Sequence, residues 1–407
     1  AAVIARAVRE PSLLVIDDAQ WVDDASADLL VEVLRDVGSR PWLVCIMGSG
    51  ATLPHWLKGF EQLDIRPLTA QQTTELAARA ATGRITRPDL VHLAERSGGN
   101  PLFLVNLVDA TNELGDPESL PGSVETLITR RIDDLDVHDR MLLREASVAG
   151  MEIDLPLIST VLGERLVNRP DAWRRLSALV GRAGPGRVRF LHGLYQSVAY
   201  EGLSFRRRRE IHLALGQELE RREAEPAILS LHFGRAEDHA RAYHWSAIAA
   251  RQAAASHANA EAAELYRRAL TSAAKLPGFP GPDAAMLAER LGDVLELNAD
   301  YEEAMAAYGD ARRWSADVVP RDAARLHRKL GVIRERSGAY PDALRWYTRA
   351  MRLLGHPANT SASTSAAEES AVLGELAELE LAYAGVRHRQ GDAASARVWT
   401  GRAIGHA

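Results

Sequence analysis

Leu13-Leu14-Val15-Ile16-Asp17-Asp18-Ala19-Gln20-Trp21 lies near the start of the chain, and its pattern sets the class of everything around it. Four consecutive apolar residues followed by two aspartates predict a fully buried parallel strand whose C-terminal end presents carboxylates. Beyond it, Asp24 is a candidate N-cap for a helix with Leu29, Leu30, Val33, Leu34 and Val37 on one face, closed by Gly38. Leu43 to Met47 is a second apolar run, so strand, helix and strand predict a βαβ unit in a parallel sheet. A third strand is predicted from Gln62 to Ile65, followed by Arg66-Pro67-Leu68 and a helix from Thr69 to Ala81. A helix from Ala1 to Arg9 is predicted to run into the first strand.

At 407 residues the chain has room for two or three domains with real cores. Acidic residues number 55 against 49 basic ones, and the net charge of −6 argues against a general electrostatic binder of nucleic acid or membranes. No apolar run approaches the roughly 20 residues that span a bilayer, and the N-terminus does not read as a signal peptide. The single cysteine, Cys45, excludes an internal disulfide framework and suits the reducing cytoplasm; it reads as a small buried hydrophobe in a strand. No Ser-His-Asp, Cys-His or H-E-x-x-H arrangement is legible, and the 13 histidines are not spaced as metal ligands.

A strand ending in two acids has the shape of a Walker B motif. In P-loop NTPases such an acid helps to hold the magnesium of the nucleotide and its neighbour orients the attacking water, which assigns magnesium to Asp17 and the catalytic, water-orienting role to Asp18. The G-x-x-x-x-G-K-[ST] loop that cradles phosphates does not occur in the sequence. The nearest stretch, Gly181-Arg182-Ala183-Gly184-Pro185-Gly186-Arg187-Val188, lacks the lysine and the Ser/Thr and reads as a hairpin turn. The chain is therefore expected to be a truncated ATPase, inactive by itself.

Three features together resemble the STAND class of signal-transduction ATPases. They are the acid-ended strand with its trailing Trp21 and Asp-rich turn, the Pro67-Leu68-Thr69 segment with the following Gln and Leu, and Gly98-Gly99-Asn100-Pro101-Leu102-Phe103-Leu104. Within that class the chain resembles bacterial ATPase regulators with tetratricopeptide (TPR) repeats, found behind class III adenylate/guanylate cyclase domains or ahead of LuxR-type DNA-binding domains. The resemblance implies ATP/ADP and Mg as cofactors and places Asn100 and Pro101 in a helical lid beside the nucleotide, with Pro101 packing on adenine. It implies that His192, which opens the helix to Tyr200, reaches the β-phosphate of ADP. Helices 139–149, 155–162 and 171–180, then a hairpin ending in Arg187-Val188-Arg189-Phe190, resemble a winged helix; only Arg174 and Arg175 make its third helix basic, which disfavours DNA reading. The family often carries an arginine where this chain reads Met47-Gly48-Ser49-Gly50-Ala51, and its absence implies slow hydrolysis or use of nucleotide as a switch. Ala199 to His212 resembles the junction in cyclase-linked members. Its arginines 206–209 precede Ile211, Leu215 and Leu219 and read as a solvated helix surface.

The C-terminal half repeats. Leu291-Gly292, Ala304, Tyr308 and Ala311 recur as Leu330-Gly331, Ala343, Tyr347 and Ala350 with identical internal spacing, which satisfies the TPR signature. Degenerate copies carry Ala262, Tyr266 and Ala269, and Ala396, Thr400 and Ala403. Tyrosines 266, 308 and 347 lie 42 and 39 apart, longer than the roughly 34 of the standard repeat. Pro357 to Ser370 reads as a flexible insertion.

The expected fold is mixed: residues 1–66 the later part of an α/β P-loop core, 67–120 a helical lid, 121–205 a winged-helix-like domain and 206–407 an all-α TPR-like solenoid. The expected function is a nucleotide-switched regulatory module that senses a protein or small effector on the TPR surface and forms a homo-oligomer in its ATP state. No membrane is expected as partner, and nucleic acid only through a domain outside these residues. The alternatives are the regulatory half of an adenylate/guanylate cyclase, an ATP-dependent LuxR-type transcription regulator, or a TPR scaffold with an inactive NTPase.

Overall fold

The first apolar run forms β1 (Ser12–Ile16), parallel to β2 (Trp42–Ile46) in the register Leu13 to Leu43 and Ile16 to Ile46, with α1 (Asp24–Leu34) as the crossover. The computed structural model describes residues 10–17, 19, 22, 24–35, 38, 41–48, 57, 61–81, 85–114, 123–168, 171–279, 281–315, 320–355 and 366–406. They fall into two compact units: one holds the β1–β2 pair with 225–234 and 239–407, the other 61–224 with 235–238.

Both strands alternate half-buried and exposed positions, so they are not buried on both faces; Leu13 and Leu43 are 63% and 69% exposed, and Cys45 is exposed as well. The reason is that one face alone is covered among the described residues, where Ile16, Leu30, Ile46 and Leu57 close over Ala19 and Ala27. A parallel strand needs a layer on each face to bury both. Leu29, expected on the inner helix face, is also exposed. Residues 62–65 form no strand: they pair with no neighbour, and Leu63 and Ile65 are 82% and 81% exposed.

The second unit begins with α2 (Ala70–Ala80), α3 (Arg87–Arg96) and α4 (Pro101–Leu114), which enclose Ala77, Leu93, Leu104, Leu107 and Val108. Thr69 and Gln72 form a capping box that starts α2 where the sequence predicts it. Next come α5 (Val124–Asp133), α6 (Val137–Ala146), β3 (Glu152–Asp154), α7 (Leu155–Leu162), α8 (Glu164–Val167), α9 (Ala172–Arg175), β4 (Val180–Gly184), β5 (Arg187–Phe190), α10 (Gly193–Glu201) and α11 (Phe205–Arg221). The strands make an antiparallel sheet in the order β3-β5-β4. The predicted helix 171–180 is one turn only, Ala172–Arg175: 176–179 form turns, and Val180 begins β4 opposite Phe190. Gly184, Pro185 and Gly186 close the hairpin, as their composition predicts. Ile211 and Leu215 of α11 join Ile128, Leu142, Ile158 and Phe190 in the core of this unit, although the sequence places that helix with the repeats.

After α12 (Pro226–Ala236), the first unit continues as helix pairs: α13 (His239–Ala255) with α14 (Asn259–Ala273), α15 (Pro282–Leu297) with α16 (Tyr301–Trp314), α17 (Pro320–Arg336) with α18 (Tyr340–Leu354), and α19 (Ala366–Arg389) with α20 (Ala393–His406). This is a TPR-like all-helical solenoid. Its signature residues are packing residues: Ala262, Tyr266, Ala269, Ala304, Tyr308, Ala311, Ala343, Tyr347 and Ala350 are all buried. A Cβ on Gly292 would stand 2.4 Å from the Tyr308 ring, and one on Gly331 2.3 Å from that of Tyr347. Only glycine admits such an approach. Both tyrosine hydroxyls then reach back to carboxylates, Tyr308 to Asp293 and Glu296 and Tyr347 to Glu335, at 2.7–3.1 Å. Burial and these acids hold both phenols protonated, far above their ordinary range. Of the predicted insertion at 357–370, residues 357–365 lie outside the described residues, and α19 has already begun at Ala366.

Gly331→Ala is expected to cost about 1–3 kcal/mol in denaturant unfolding, since the Tyr347 ring has nowhere to retreat. Gly374→Ala, also helical but with open space around its Cα, is expected to stabilise by about 0.5–1 kcal/mol. His232 in α12 supplies a pH test. Burial lowers its imidazole to about 4, so the folded chain keeps it neutral while the unfolded chain protonates it below its ordinary value of about 6.5. Stability is therefore lost as pH falls from 6.5, and the loss reaches roughly 3 kcal/mol by pH 4. Urea unfolding of His232→Gln across that range is expected to show a shallower decline.

Candidate functional site

Asp17 directly follows β1, where the Met47 N–H to Ile16 carbonyl and Ala19 N–H to Met47 carbonyl bonds, both 2.8 Å, carry the pairing of the two strands past their ends. The residue is exposed. An exposed carboxylate at the C-terminal edge of a parallel pair is the donor type a magnesium ion takes, and an ion that keeps its waters and leans on phosphates needs one or two such ligands rather than a cage. Among the described residues no group of three or more His, Cys, Asp or Glu is arranged to hold a metal by itself. Asp18 and Trp21 lie outside the described residues, as do Ser49, Gly50 and Ala51 of the arginine-less strand end.

The other sequence-assigned residues lie in the second unit, and a chain of contacts joins them. Gly98 and Gly99 have φ of 57° and 80°, and a Cβ on Gly99 would stand 2.6 Å from the Leu68 carbonyl oxygen. The Leu68 N–H donates to the Gly99 carbonyl at 2.9 Å. The turn is thereby pinned onto the Pro67-Leu68 segment. Asn100 caps α4, its Oδ1 accepting the Phe103 N–H at 3.1 Å, and Pro101 follows as the exposed first residue of the helix.

One turn further on, buried Asn106 donates from Nδ2 to the Leu102 carbonyl at 2.8 Å and to Tyr195 Oη at 3.4 Å. Tyr195 belongs to α10, whose N-cap is His192. The His192 Nδ1 accepts the Leu194 N–H at 3.2 Å, and its ring meets that of Tyr195 edge-on at 6.2 Å. A capping Nδ1 is an acceptor, so the neutral ring carries its proton on Nε2, and the exposed side chain presents a donor. Asn100, Pro101 and His192 are thus tied into one unit through Asn106 and Tyr195, two residues that the sequence reading missed. The signal was an asparagine within the apolar run Leu102 to Val108, where a buried amide demands a partner.

The arginines 206–209 are engaged locally. Arg206 and Arg207 pair with Glu210, Arg207 also with Glu145, Arg208 donates to the Leu203 and Glu201 carbonyls over the Tyr200 ring, and Arg209 pairs with Glu237.

No family model matches the chain. A protein of Rhizobium meliloti (strain 1021) described as uncharacterized is 28% identical over 228 residues, covering 51% of this chain and 22% of its own length. The chain thus spans about a fifth of that relative. Among solved structures, it is similar to a signal-transduction ATPase with numerous domains and a tetratricopeptide repeat sensor from Pyrococcus horikoshii, at 14% identity and a TM-score of 0.44, over 97% of this chain and 62% of that one. It is also similar to aspartyl phosphate phosphatase F from Bacillus subtilis, at 11% identity and a TM-score of 0.35, over 86% and 76% of the two chains.

Gly99→Ala is expected to cost about 1–3 kcal/mol in thermal unfolding, because the turn must leave Leu68 and the backbone is strained. Gly98→Asn, with positive φ but open space, is expected to stay within about 0.5 kcal/mol of the parent.

Proposed function

We propose that this chain is the regulatory portion of a STAND-type signal-transduction ATPase, which binds ATP or ADP with magnesium and reads a protein or small effector through its TPR-like repeats. The observation that carries the reading is the Gly98-Gly99-Asn100-Pro101 turn, pinned on Leu68 and linked through Asn106 and Tyr195 to His192. Such a linkage places the turn and His192 in a single packed unit. In this reading Asp17 holds magnesium through the nucleotide, Asp18 orients water, Asn100 and Pro101 border adenine, and the Nε2–H of His192 donates to a phosphate of ADP. Magnesium would neutralise phosphate charge during transfer.

Residues 1–66 are read as part of a P-loop core, in line with the parallel β1–β2 pair, and 121–205 as a winged-helix-like domain, in line with helices leading into a three-stranded antiparallel sheet. A closed ADP state would give way to an open, oligomer-forming ATP state in the cytoplasm, with effector binding on the repeats shifting the balance. The junction at Ala199 to His212 favours a cyclase-linked output over a LuxR-type one.

In the whole protein, Asp17→Ala is expected to abolish ATP-dependent oligomerisation in size-exclusion chromatography and to lower ATP turnover at least tenfold. His192→Ala is expected to weaken fluorescent-ADP binding more than ATP binding. Unchanged oligomerisation and unchanged nucleotide affinity in both variants would instead mark the chain as a TPR scaffold.

A further inference from the structure

The two sides of the repeat array treat their arginines differently. Between the first helices of successive pairs, cations meet acids: Arg325 and Lys329 pair with Glu289, Arg336 with Glu296, Arg328 with Glu375 and Glu378, and Arg389 with Glu335. The register repeats, because Glu296–Arg336 and Glu335–Arg389 join equivalent positions one pair apart. On the second helices Arg267 of α14 still pairs with Glu303 of α16, but along the last pairs the pattern changes. Trp346 directly precedes Tyr347, and Trp399 directly precedes Thr400 at the equivalent place in the last pair. Three residues after each tryptophan stands an arginine, Arg349 with its guanidinium carbon 5.1 Å from the Trp346 centroid, and Arg402 at 4.7 Å from that of Trp399. Arg312, from the preceding pair, lies 5.9 Å from the Trp346 centroid.

These three arginines are exposed, the tryptophans beneath them are half-buried, and among the described residues no carboxylate pairs with Arg312, Arg349 or Arg402. Of the helices that carry them, α18 has Asp342 alone, already bound to Arg345, and α20 has no acidic residue; α16 has Glu302, Glu303 and Asp310, of which Glu303 is bound to Arg267 and Asp310 to Arg313. A guanidinium held over an indole has lost part of its freedom before any ligand arrives, and it still offers N–H donors. The cost of ordering it on binding is correspondingly smaller.

We infer that Arg312, Arg349 and Arg402, seated on Trp346 and Trp399, form a docking track for an acidic peptide segment that runs along the second helices of the last pairs and presents carboxylates to successive guanidinia. Nucleic acid fits this track poorly. The guanidinia already cover the indole faces on which bases would stack, and the track offers three cations where duplex binders neutralise on the order of 6–10 phosphates. The inference rests on the proposed reading of the repeats as a sensor for its biological role only, because docking on this track involves no nucleotide.

The test is fluorescence anisotropy of a labelled octaglutamate peptide and of a twelve-nucleotide oligouridylate, titrated with the full chain at low ionic strength and without nucleotide. Saturable binding of the peptide, weakened tenfold or more in the Arg349→Gln, Arg402→Gln double variant, is expected. The double variant Arg313→Gln, Arg345→Gln removes the same charge from arginines that already have acids beside them, and should bind within twofold of the parent. Arg349→Lys with Arg402→Lys keeps the charge without the planar fork and should lie between the two. Thermal unfolding of each variant separates loss of the track from loss of the fold. Absence of peptide binding, equal weakening by the two Gln double variants, or tighter binding of the oligouridylate would overturn the inference. A nucleotide-insensitive protein that still binds octaglutamate would sink the proposed ATPase switch and leave the track standing.

Discussion

Gly292 against Tyr308 and Gly331 against Tyr347 fix how closely the two helices of a repeat can approach, and much of the first unit follows from that contact. With the ring lying where a Cβ would be, the helices come together, and the alanines at 304, 311, 343 and 350, one turn from the tyrosine on its own helix, are fully buried. The phenol is then carried deep into the seam, where its hydroxyl needs an acceptor. Glu296 and Glu335 supply it, and each carboxylate is shared with an arginine from the next pair. One steric requirement inside a pair thus places the charge that registers the following pair.

In the ion pairs so placed the carboxylates are largely buried and the arginines exposed, and they occur as a network with hydrogen-bonded tyrosines. An isolated surface pair contributes about 0–1 kcal/mol. A buried carboxylate left alone costs several times that, so the arrangement is better understood as specificity than as strength. A neighbouring helix that lacks its arginine in register leaves an acid unpaired, and slipped packings are penalised. Burial works against the charge of Glu289, yet Lys329 and Arg325 together hold it ionised.

The repeats were legible because their rule is local and recurs: a glycine, an aromatic and small residues at fixed steps give the same reading at the two full copies, and the structure buries the tyrosines and alanines of both. The hairpin turn at Gly184 to Gly186 was legible for a similar reason, since positive φ at glycine is a local demand. The misreadings share another cause. Residues 62–65 and 171–180 have the composition of a strand and a helix, but each outcome depended on a partner distant in sequence. The first found none, and the second lost its last residue to Phe190. The expectation that β1 is buried on both faces failed in the same way, because four apolar residues in a row state what a strand can tolerate and not how many layers cover it. At the candidate site, Asn100, Pro101 and His192 were legible as a turn and a helix start, whereas Asn106 and Tyr195 were not, because their bond joins positions 89 apart.

Asn100 and His192 are both helix caps, and it is tempting to set that structural role against a role in binding. The two roles are compatible in this geometry. A cap contributes about 1 kcal/mol, enough to hold one rotamer and too little to resist a ligand that binds with several times that free energy. With Nδ1 of His192 committed to the Leu194 N–H, the proton is directed to Nε2 and the ring is oriented against Tyr195 before anything binds. Tyr195 is in turn bonded to Asn106 on the helix that Asn100 begins. A ligand that drew His192 off its cap would therefore disturb Tyr195, then Asn106, and through α4 the turn pinned on Leu68. That path runs through a cap bond of 3.2 Å, an edge-on ring contact at 6.2 Å and a hydrogen bond of 3.4 Å, a contiguous route along which a displacement at His192 would be passed toward the turn.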